Sequence, residues 1–477
     1  MKFKLPPYEW QHKAMEMSTH LTDMALLADM GTGKTGAMVN ILRMRYNNGR
    51  RVQKTLILSP LVTLLNWREE FFKHSYIDTE KVVVLMGSTK KKVKTLTQAT
   101  LNDPNKIVIM NYEGMISKEM IHALLKWGIE LLVLDESHMC KNHKAKRSKN
   151  IFALSVDARA RFIMTGTPVT NDLPDIFMQY KILDGGATFG NNFYVFQRKY
   201  MEDKNAAWAN RQNHFPKWVV RTDKIEEVQH LIYSKAIRVT KDECLDLPDR
   251  VEEIYKVPLS SKQRKYYDQM ERDFVTFVEE GESKGIAVAQ LAMTKALRLQ
   301  QIVTGFVTDD EGNEIEILDN PRLVAVKELI QSLHSKHKVI LWCSFKKNYK
   351  QLGDLLTKMK IEHRFIIGDM TLMQKQEAMD EFNNDDSVRV IIANRRAGGI
   401  GINLVSADYS IVYSRNFSLS EELQSKDRNY RGGSEIHDRI VSINLCAEDT
   451  IDERVTEALI NKKKISDDIL TFIRQST

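Results

Sequence analysis

The sequence predicts an α/β protein of two lobes, each a parallel sheet with helices on both faces. Three observations carry that prediction. Short apolar runs alternate with helix-like segments in two separate series along the 477 residues, a glycine-rich turn follows the first run, and an acidic pair ends a later one. The length accommodates two or three ordinary domains, and a hydrophobic content of 43% suffices for sizeable cores.

The first series comprises residues 24–28, 55–58, 81–85, 107–110, 131–134 and 161–164. After the first run comes Ala28-Asp29-Met30-Gly31-Thr32-Gly33-Lys34-Thr35, followed by a helix-like stretch over 36–45. This strand, loop and helix order is what a phosphate-binding loop requires, although the strict pattern has glycine where Ala28 stands. Gly31, Thr32 and Gly33 let backbone N–H groups close around phosphate oxygens, and the helix N-terminus adds positive potential. Lys34 is expected to reach the β- and γ-phosphates of a nucleoside triphosphate, and Thr35 to offer its hydroxyl to Mg²⁺. The run at 131–134 ends in Asp135-Glu136-Ser137-His138. Asp135 is placed to hold Mg²⁺ through its hydration shell, since that ion keeps several waters and takes few carboxylates. Glu136 is expected to orient the attacking water or take its proton.

Residues 186–235 read as an insertion with Phe193, Tyr194, Trp208 and Trp218. A linker is expected over 236–260, including a strand-like 251–257, so that the first lobe covers 1–185. Tyr266, Tyr267, Met270, Phe274 and Phe277 recur at near-helical spacing and predict a helical insertion within 261–322. The second lobe, 323–449, holds the second apolar series at 339–342, 363–367, 389–392, 410–413 and 439–444, and a bracing helix is expected within 450–477.

Bulk composition narrows the class. No apolar run approaches the eighteen or so residues of a membrane span, and the first residues lack a signal-peptide core, so a cytoplasmic protein is expected. Cys140, Cys244, Cys343 and Cys446 stand far apart without zinc-ligand spacing and read as reduced thiols. The net charge of +7, from 70 basic and 63 acidic residues, is too small to specify a polyanion partner. Two basic clusters are more specific: Lys90, Lys91, Lys92 and Lys94, and Lys141, His143, Lys144, Lys146, Arg147 and Lys149. Each reads equally well as a solvated loop.

Over nearly its whole length the chain resembles the superfamily 2 helicase-like ATPases of the Swi/Snf type. The resemblance runs through Tyr8-Glu9-Trp10-Gln11, Leu58-Ser59-Pro60 with Asn66-Trp67, Met110-Asn111-Tyr112-Glu113, the acidic box with Lys141-Asn142, and Thr165-Gly166-Thr167-Pro168 with Asn171. It continues through Leu247-Pro248, Gln263-Arg264, the run from Arg396 to Leu404, and Gln424 with Asp427-Arg428-Asn429-Tyr430-Arg431. Arg395 departs from it, standing where the family often has a small hydroxyl residue.

The resemblance implies two RecA-like lobes with mainly helical insertions and an ATP cleft between the lobes. It implies that Gln11 reads adenine, that Gly401 contacts the nucleotide, and that His138, Thr165, Thr167 and Gln424 couple hydrolysis to movement. Arg428 and Arg431, whose i, i+3 spacing suggests one helical face, are expected to stabilise charge on the transferring phosphoryl group. Ser59, Thr63, Asn111, Thr167, Arg396, Gly398 and Gly399 are expected to track DNA, mainly through phosphate and sugar. Trp67 reads as a core residue of its helix. Small bare cores of this type resemble bacteriophage-encoded helicases acting on forks and Holliday junctions. The expected activity is therefore ATP-driven unwinding or remodelling of branched DNA in replication, recombination or repair, by a monomer. Alternatives are a duplex translocase that leaves strands paired and a nucleotide-switched DNA-binding module.

Overall fold

The computed structural model describes residues 3–49, 53–166, 168–169, 173–205, 218–280, 285–309, 311–333, 335–395 and 402–470. The chain divides into two compact units, Met1–Asp246 with Lys462–Thr477, and Leu247–Asn461.

In the first unit the predicted runs become β1 (Asp23–Ala28), β2 (Thr55–Ser59), β3 (Val82–Leu85), β4 (Ile107–Asn111), β5 (Leu131–Asp135) and β6 (Ala160–Met164). A two-stranded antiparallel ribbon, β7 (Met201–Asp203) and β8 (Trp218–Val220), lies in the expected insertion, and β9 (Ala236–Val239) follows it. The sheet order is β3-β4-β2-β5-β6-β1-β9, with every pairing parallel. Alternate residues of one strand enter different cores. Leu132 and Leu134 join Leu56, Leu58 and Ala25 on one face, while Val133 joins Ile57, Leu26 and Phe162 on the other. Near-continuous apolar strands follow from burial on both faces.

The second unit contains β10 (Asp249–Val257), a small antiparallel hairpin of β11 (Phe306–Thr308) and β12 (Glu314–Glu316), and then β13 (Val339–Cys343), β14 (His363–Ile366), β15 (Val390–Asn394), β16 (Tyr409–Val412) and β17 (Arg439–Ala447). Its main sheet runs β10-β17-β16-β13-β15-β14, again all parallel. The expected helical insertion is a pair of helices, Ser261–Glu280 and Gly285–Val303. Tyr267, Leu299 and Ile302 pack with Val455 and Leu459 of the helix Ile451–Leu470.

The segment 236–260 contains the boundary between the two units and supplies an edge strand to each sheet: Ala25 to Ala28 pair with Ala236 to Val239, an unexpected strand, and Asp249 to Val257, which covers the expected strand-like 251–257, pair with Arg439 to Ala447. Both segments are short or polar, and their strand state depends on partners far away in sequence.

Candidate active site

Because the first sheet is parallel, Ala28, Ser59, Asn111, Asp135 and Met164 all end strands at one edge, the side at which open α/β sheets bind ligands. Gly31 and Gly33 have φ of 83° and 84°, a conformation that side chains disfavour. A Cβ on Gly33 would also lie 2.8 Å from Gln11 Nε2. The loop is tied down from several sides. The Thr32 hydroxyl donates to Asp29 O (2.7 Å), and Thr32 O accepts from Trp10 Nε1 (3.2 Å). Asp29 pairs with Arg238 of β9 (2.7 Å) and accepts from Lys241 N (3.2 Å). Gln11 Nε2 donates to Gly33 O (3.0 Å), while its Oε1 accepts from Tyr8 N (3.0 Å). In this structure both ends of the amide expected to read a base are spent on the protein.

Lys34 and Thr35 open the helix Lys34–Gly49, with Lys34 buried and Thr35 half-buried. The Lys34 ammonium folds back onto Ala28 O (2.7 Å) and Asp29 O (2.9 Å). A cleft of about 710 Å³ opens nearby, lined among others by Tyr8, Trp10, Lys13, Arg238 and Cys244.

The acidic pair is buried and its two members are held differently. Asp135 Oδ2 accepts from Ser59 Oγ (2.8 Å) and from Trp67 Nε1 (2.8 Å). Burial and the neighbouring Glu136 charge raise its pKa against these donors. Glu136 is a non-glycine residue with φ 50° and ψ 54°, a strained conformation of the kind concentrated at functional sites. It caps the turn Ser137–Cys140, and its carboxylate meets His138 Nδ1 (3.2 Å) and Thr165 Oγ1 (3.3 Å). Burial opposes its ionisation, but His138 and Lys34 outweigh burial and hold its pKa low. The three expected residues Glu136, His138 and Thr165 thus form one cluster. Gly166, next in the chain, lets the loop after β6 approach the phosphate loop: a Cβ there would lie 3.2 Å from Ala28 O and 3.3 Å from Met30 N.

These residues fit a magnesium–nucleotide. The buried Lys34 ammonium is held by carbonyl oxygens and acts on both acids, and the two glycines leave the loop backbone open. Thr35 and Asp135 are the groups that would hold Mg²⁺.

Two expected DNA contacts are otherwise engaged. Ser59 is fully buried, bonded to Asp135 and to Thr63 Oγ1 (2.6 Å). Asn111 is buried, accepting from Lys92 Nζ and donating to Glu113 Oε2 (2.6 Å). Their short polar side chains satisfy buried neighbours, as buried polar groups must. Thr63 is half-buried and also donates to Pro60 O (3.0 Å). Thr167, Asn171, Trp208, Arg396, Gly398, Gly399 and Gly401 lie outside the described residues.

In the second unit, Gln424 belongs to the helix Leu419–Lys426 and is half-buried. Arg428 and Arg431 do not share a helical face: the helix ends at Lys426, Asp427 is its C-cap, and both arginines occupy the turns that follow. The Asp427 N–H closes the helix on Leu423 O and Ser425 O, and Gly433, at φ 102°, opens the short turn Ser434–Ile436 that follows. Arg428 is buried and Arg431 half-buried. Arg395 is buried and bonded to Glu422 of the same helix, which also faces Arg415 (3.7 Å) and Lys426 (3.5 Å).

Comparison with known proteins matches residues 10–305 to the SNF2-related domain and residues 322–433 to the helicase conserved C-terminal domain. The chain belongs to the SNF2-related family. It is 26% identical to the nuclear protein STH1/NPS1 of Saccharomyces cerevisiae, over 97% of this chain and 34% of that protein. It is 27% identical to an uncharacterized ATP-dependent helicase, MG018, of Mycoplasma genitalium, over 92% of this chain and 40% of that protein. The chain therefore spans about a third to two fifths of the length of these relatives. A solved structure of the Sulfolobus solfataricus SWI2/SNF2 ATPase core in complex with dsDNA aligns with 22% identity and a TM-score of 0.43, covering 98% of this chain and 93% of that one.

Within this SNF2-related chain, sequence reasoning missed the role of Trp67. Its burial agrees with the amphipathic pattern around it, but its indole N–H reaches Asp135, 68 residues away. No local spacing signals that bond.

Proposed function

We propose that the chain is a DNA-stimulated ATPase that uses hydrolysis to translocate on DNA and to unwind or remodel branched DNA in replication, recombination or repair. The observation that carries the ATPase reading is that Lys34, at the start of the helix after β1, and Asp135 with Glu136, at the end of β5, lie at the same edge of one parallel sheet, with the Glu136 pKa held low against burial by His138, Lys34 and Thr165. The family and the resemblance of its ordered motifs support the DNA reading.

The chemistry follows from these groups. Thr35 and Asp135 would hold Mg²⁺, which when bound would supply positive charge to the phosphates. Lys34 leaves its carbonyl partners for phosphate oxygens, which compensate its charge far better. Glu136 orients a water and takes its proton as the water oxygen bonds to the γ-phosphorus; the bond to the bridging oxygen breaks, and its electron pair stays on ADP.

Glu136→Gln tests the assignment: ATP binding persists and DNA-stimulated turnover falls by at least a hundredfold, within the range expected for loss of a general base. Unchanged turnover would remove Glu136 from the mechanism. Strand separation on labelled three- and four-way junctions and on linear duplexes, beside Lys34→Ala, tests the finer reading. ATP-dependent product from the branched substrates is expected. DNA-stimulated hydrolysis without product would replace unwinding by duplex translocation, and equal stimulation by RNA would overturn the DNA preference.

A further inference from the structure

The second basic cluster singled out in the sequence borders an aromatic group in the insertion of the first unit. The His143 ring stacks on Phe193 with centroids 3.8 Å apart and planes 16° apart. Phe177 meets both rings edge-on, at 6.5 Å from His143 and 5.4 Å from Phe193. Phe177 and Phe196 continue this contact into the main core. The stack is therefore a rigid base anchored in the sheet's own packing.

Tyr194 stands on that base and is not absorbed by it. Its ring meets His143 at 6.3 Å and Phe193 at 5.7 Å, both edge-on, yet the residue is 56% exposed, and its neighbour Val195 is 54% exposed. Asn192 fixes the position by accepting from Tyr194 N (2.9 Å) and Val195 N (3.3 Å). The other described aromatic candidates of the insertion are used differently: Phe193 lies in the stack, and Trp218 packs against the core.

Charge around this ring is one-sided. Lys144 follows His143 directly in the chain and Lys149 lies on the helix Lys146–Ser155 that begins just after it; burial, then the charges of Lys144, Lys149 and Lys181, hold the His143 imidazole below its usual pKa. Lys181 is engaged with Asn191 O (2.7 Å) and the Phe152 ring, and Lys141 is paired with Asp175 (3.2 Å). Lys144 and Lys149 are exposed and, among the described residues, have no ion-pair partner. An immobilised, exposed aromatic face beside two uncompensated cations suits a ligand carrying both flat rings and regularly spaced anions.

We infer that Tyr194, Lys144 and Lys149 form a single-stranded DNA contact on the first unit, with a base stacked on Tyr194 and flanking phosphates on the two lysines. The inference rests on the DNA reading above and adds a site outside the residues assigned to strand tracking. A paired duplex presents phosphates but no free base face, so it uses the lysines and leaves Tyr194 idle. Single-stranded DNA uses both.

The test is binding of a fluorescent oligo-dT by the full chain, by anisotropy over a salt series, beside a hairpin duplex. Tyr194→Ala is expected to weaken oligo-dT binding about tenfold, with Tyr194→Phe near wild type because stacking needs the ring and not the hydroxyl. Lys144→Ala with Lys149→Ala should reduce the slope of log affinity against log salt by about 1.4 for oligo-dT. Duplex-stimulated ATP hydrolysis at saturating duplex should be unchanged by Tyr194→Ala. Wild-type oligo-dT affinity in Tyr194→Ala, or equal losses for oligo-dT and duplex in every variant, would overturn the site and leave the ATPase intact. A wild-type chain that separates no strands, yet binds oligo-dT through Tyr194, would instead overturn the unwinding reading and leave the site.

Discussion

At the scale of single residues, Ser59 links the acid expected to hold Mg²⁺ to Thr63, and Trp67 is the second donor to that acid. Asp135 Oδ2 has two donors, Ser59 Oγ and Trp67 Nε1, each at 2.8 Å, and Ser59 is bonded in turn to Thr63 at 2.6 Å. Groups that orient a metal-holding carboxylate typically matter 10- to 100-fold for metal affinity or activity. Trp67→Phe keeps an aromatic ring in the buried site and deletes one donor. The Mg²⁺ concentration for half-maximal ATP hydrolysis should rise about tenfold, while stability falls by about 1–2 kcal/mol, the scale of a modest truncation in a packed core. An unchanged Mg²⁺ titration would reduce Trp67 to the packing role that its sequence pattern suggests.

At the scale of elements, β15 and the helix Leu419–Lys426 are joined by the buried pair Arg395 and Glu422. Among the described residues the Arg395 Nε and Nη2 atoms have no hydrogen-bond partner, so there the pair with Glu422 carries most of its compensation. Burial alone would raise the Glu422 pKa, but Arg395, Arg415 and Lys426 bring it down to about 2. A lowered folded-state pKa stabilises the fold above the unfolded carboxylate value of about 4.3, and that contribution is lost as pH falls toward the folded value. Glu422→Gln should therefore cost about 3–5 kcal/mol at pH 7, because a buried cation loses its partner. The variant should also lose less further stability than wild type between pH 4 and about 2. Denaturant unfolding of both proteins at pH 7 and pH 3 checks both statements; parallel acid losses would show that Glu422 is not the titrating group. The pair also supplies the compensating charge for Arg395, the residue that departs from the resemblance.

At the scale of the whole molecule, the two sheets were legible because strands buried on both faces must be apolar, as 131–134 and 339–342 are. The acidic and glycine-rich segments were legible because their chemistry lies in adjacent residues. Legibility failed where structure depends on distant partners. Ala236 to Val239, read as linker, becomes a strand beside Ala25 to Ala28, whereas the strand-like 251–257 was legible and pairs, as Asp249 to Val257, with Arg439 to Ala447. The spacing of Arg428 and Arg431 suggested a helix that ends before them. Each unit nevertheless has its own sheet and cores, and Lys34, Thr35, Asp135 and Glu136 all belong to the first. A ligand that binds a folded unit and not its unfolded chain stabilises that unit by mass action. At a hundred times its dissociation constant the gain is about 2.7 kcal/mol, which for a unit of this size raises its melting point by about 5–10 °C. Calorimetry of the full chain with Mg²⁺ and a non-hydrolysable ATP analogue should therefore move the transition of the first unit upward and that of the second by much less. Lys34→Ala should abolish the shift; among the described residues its ammonium is bonded to Ala28 O and Asp29 O and also faces the buried Asp135 and Glu136, so the unliganded transition of the first unit should fall as well. Equal movement of both transitions, or a shift that survives Lys34→Ala, would take the principal nucleotide contacts away from the β1 loop.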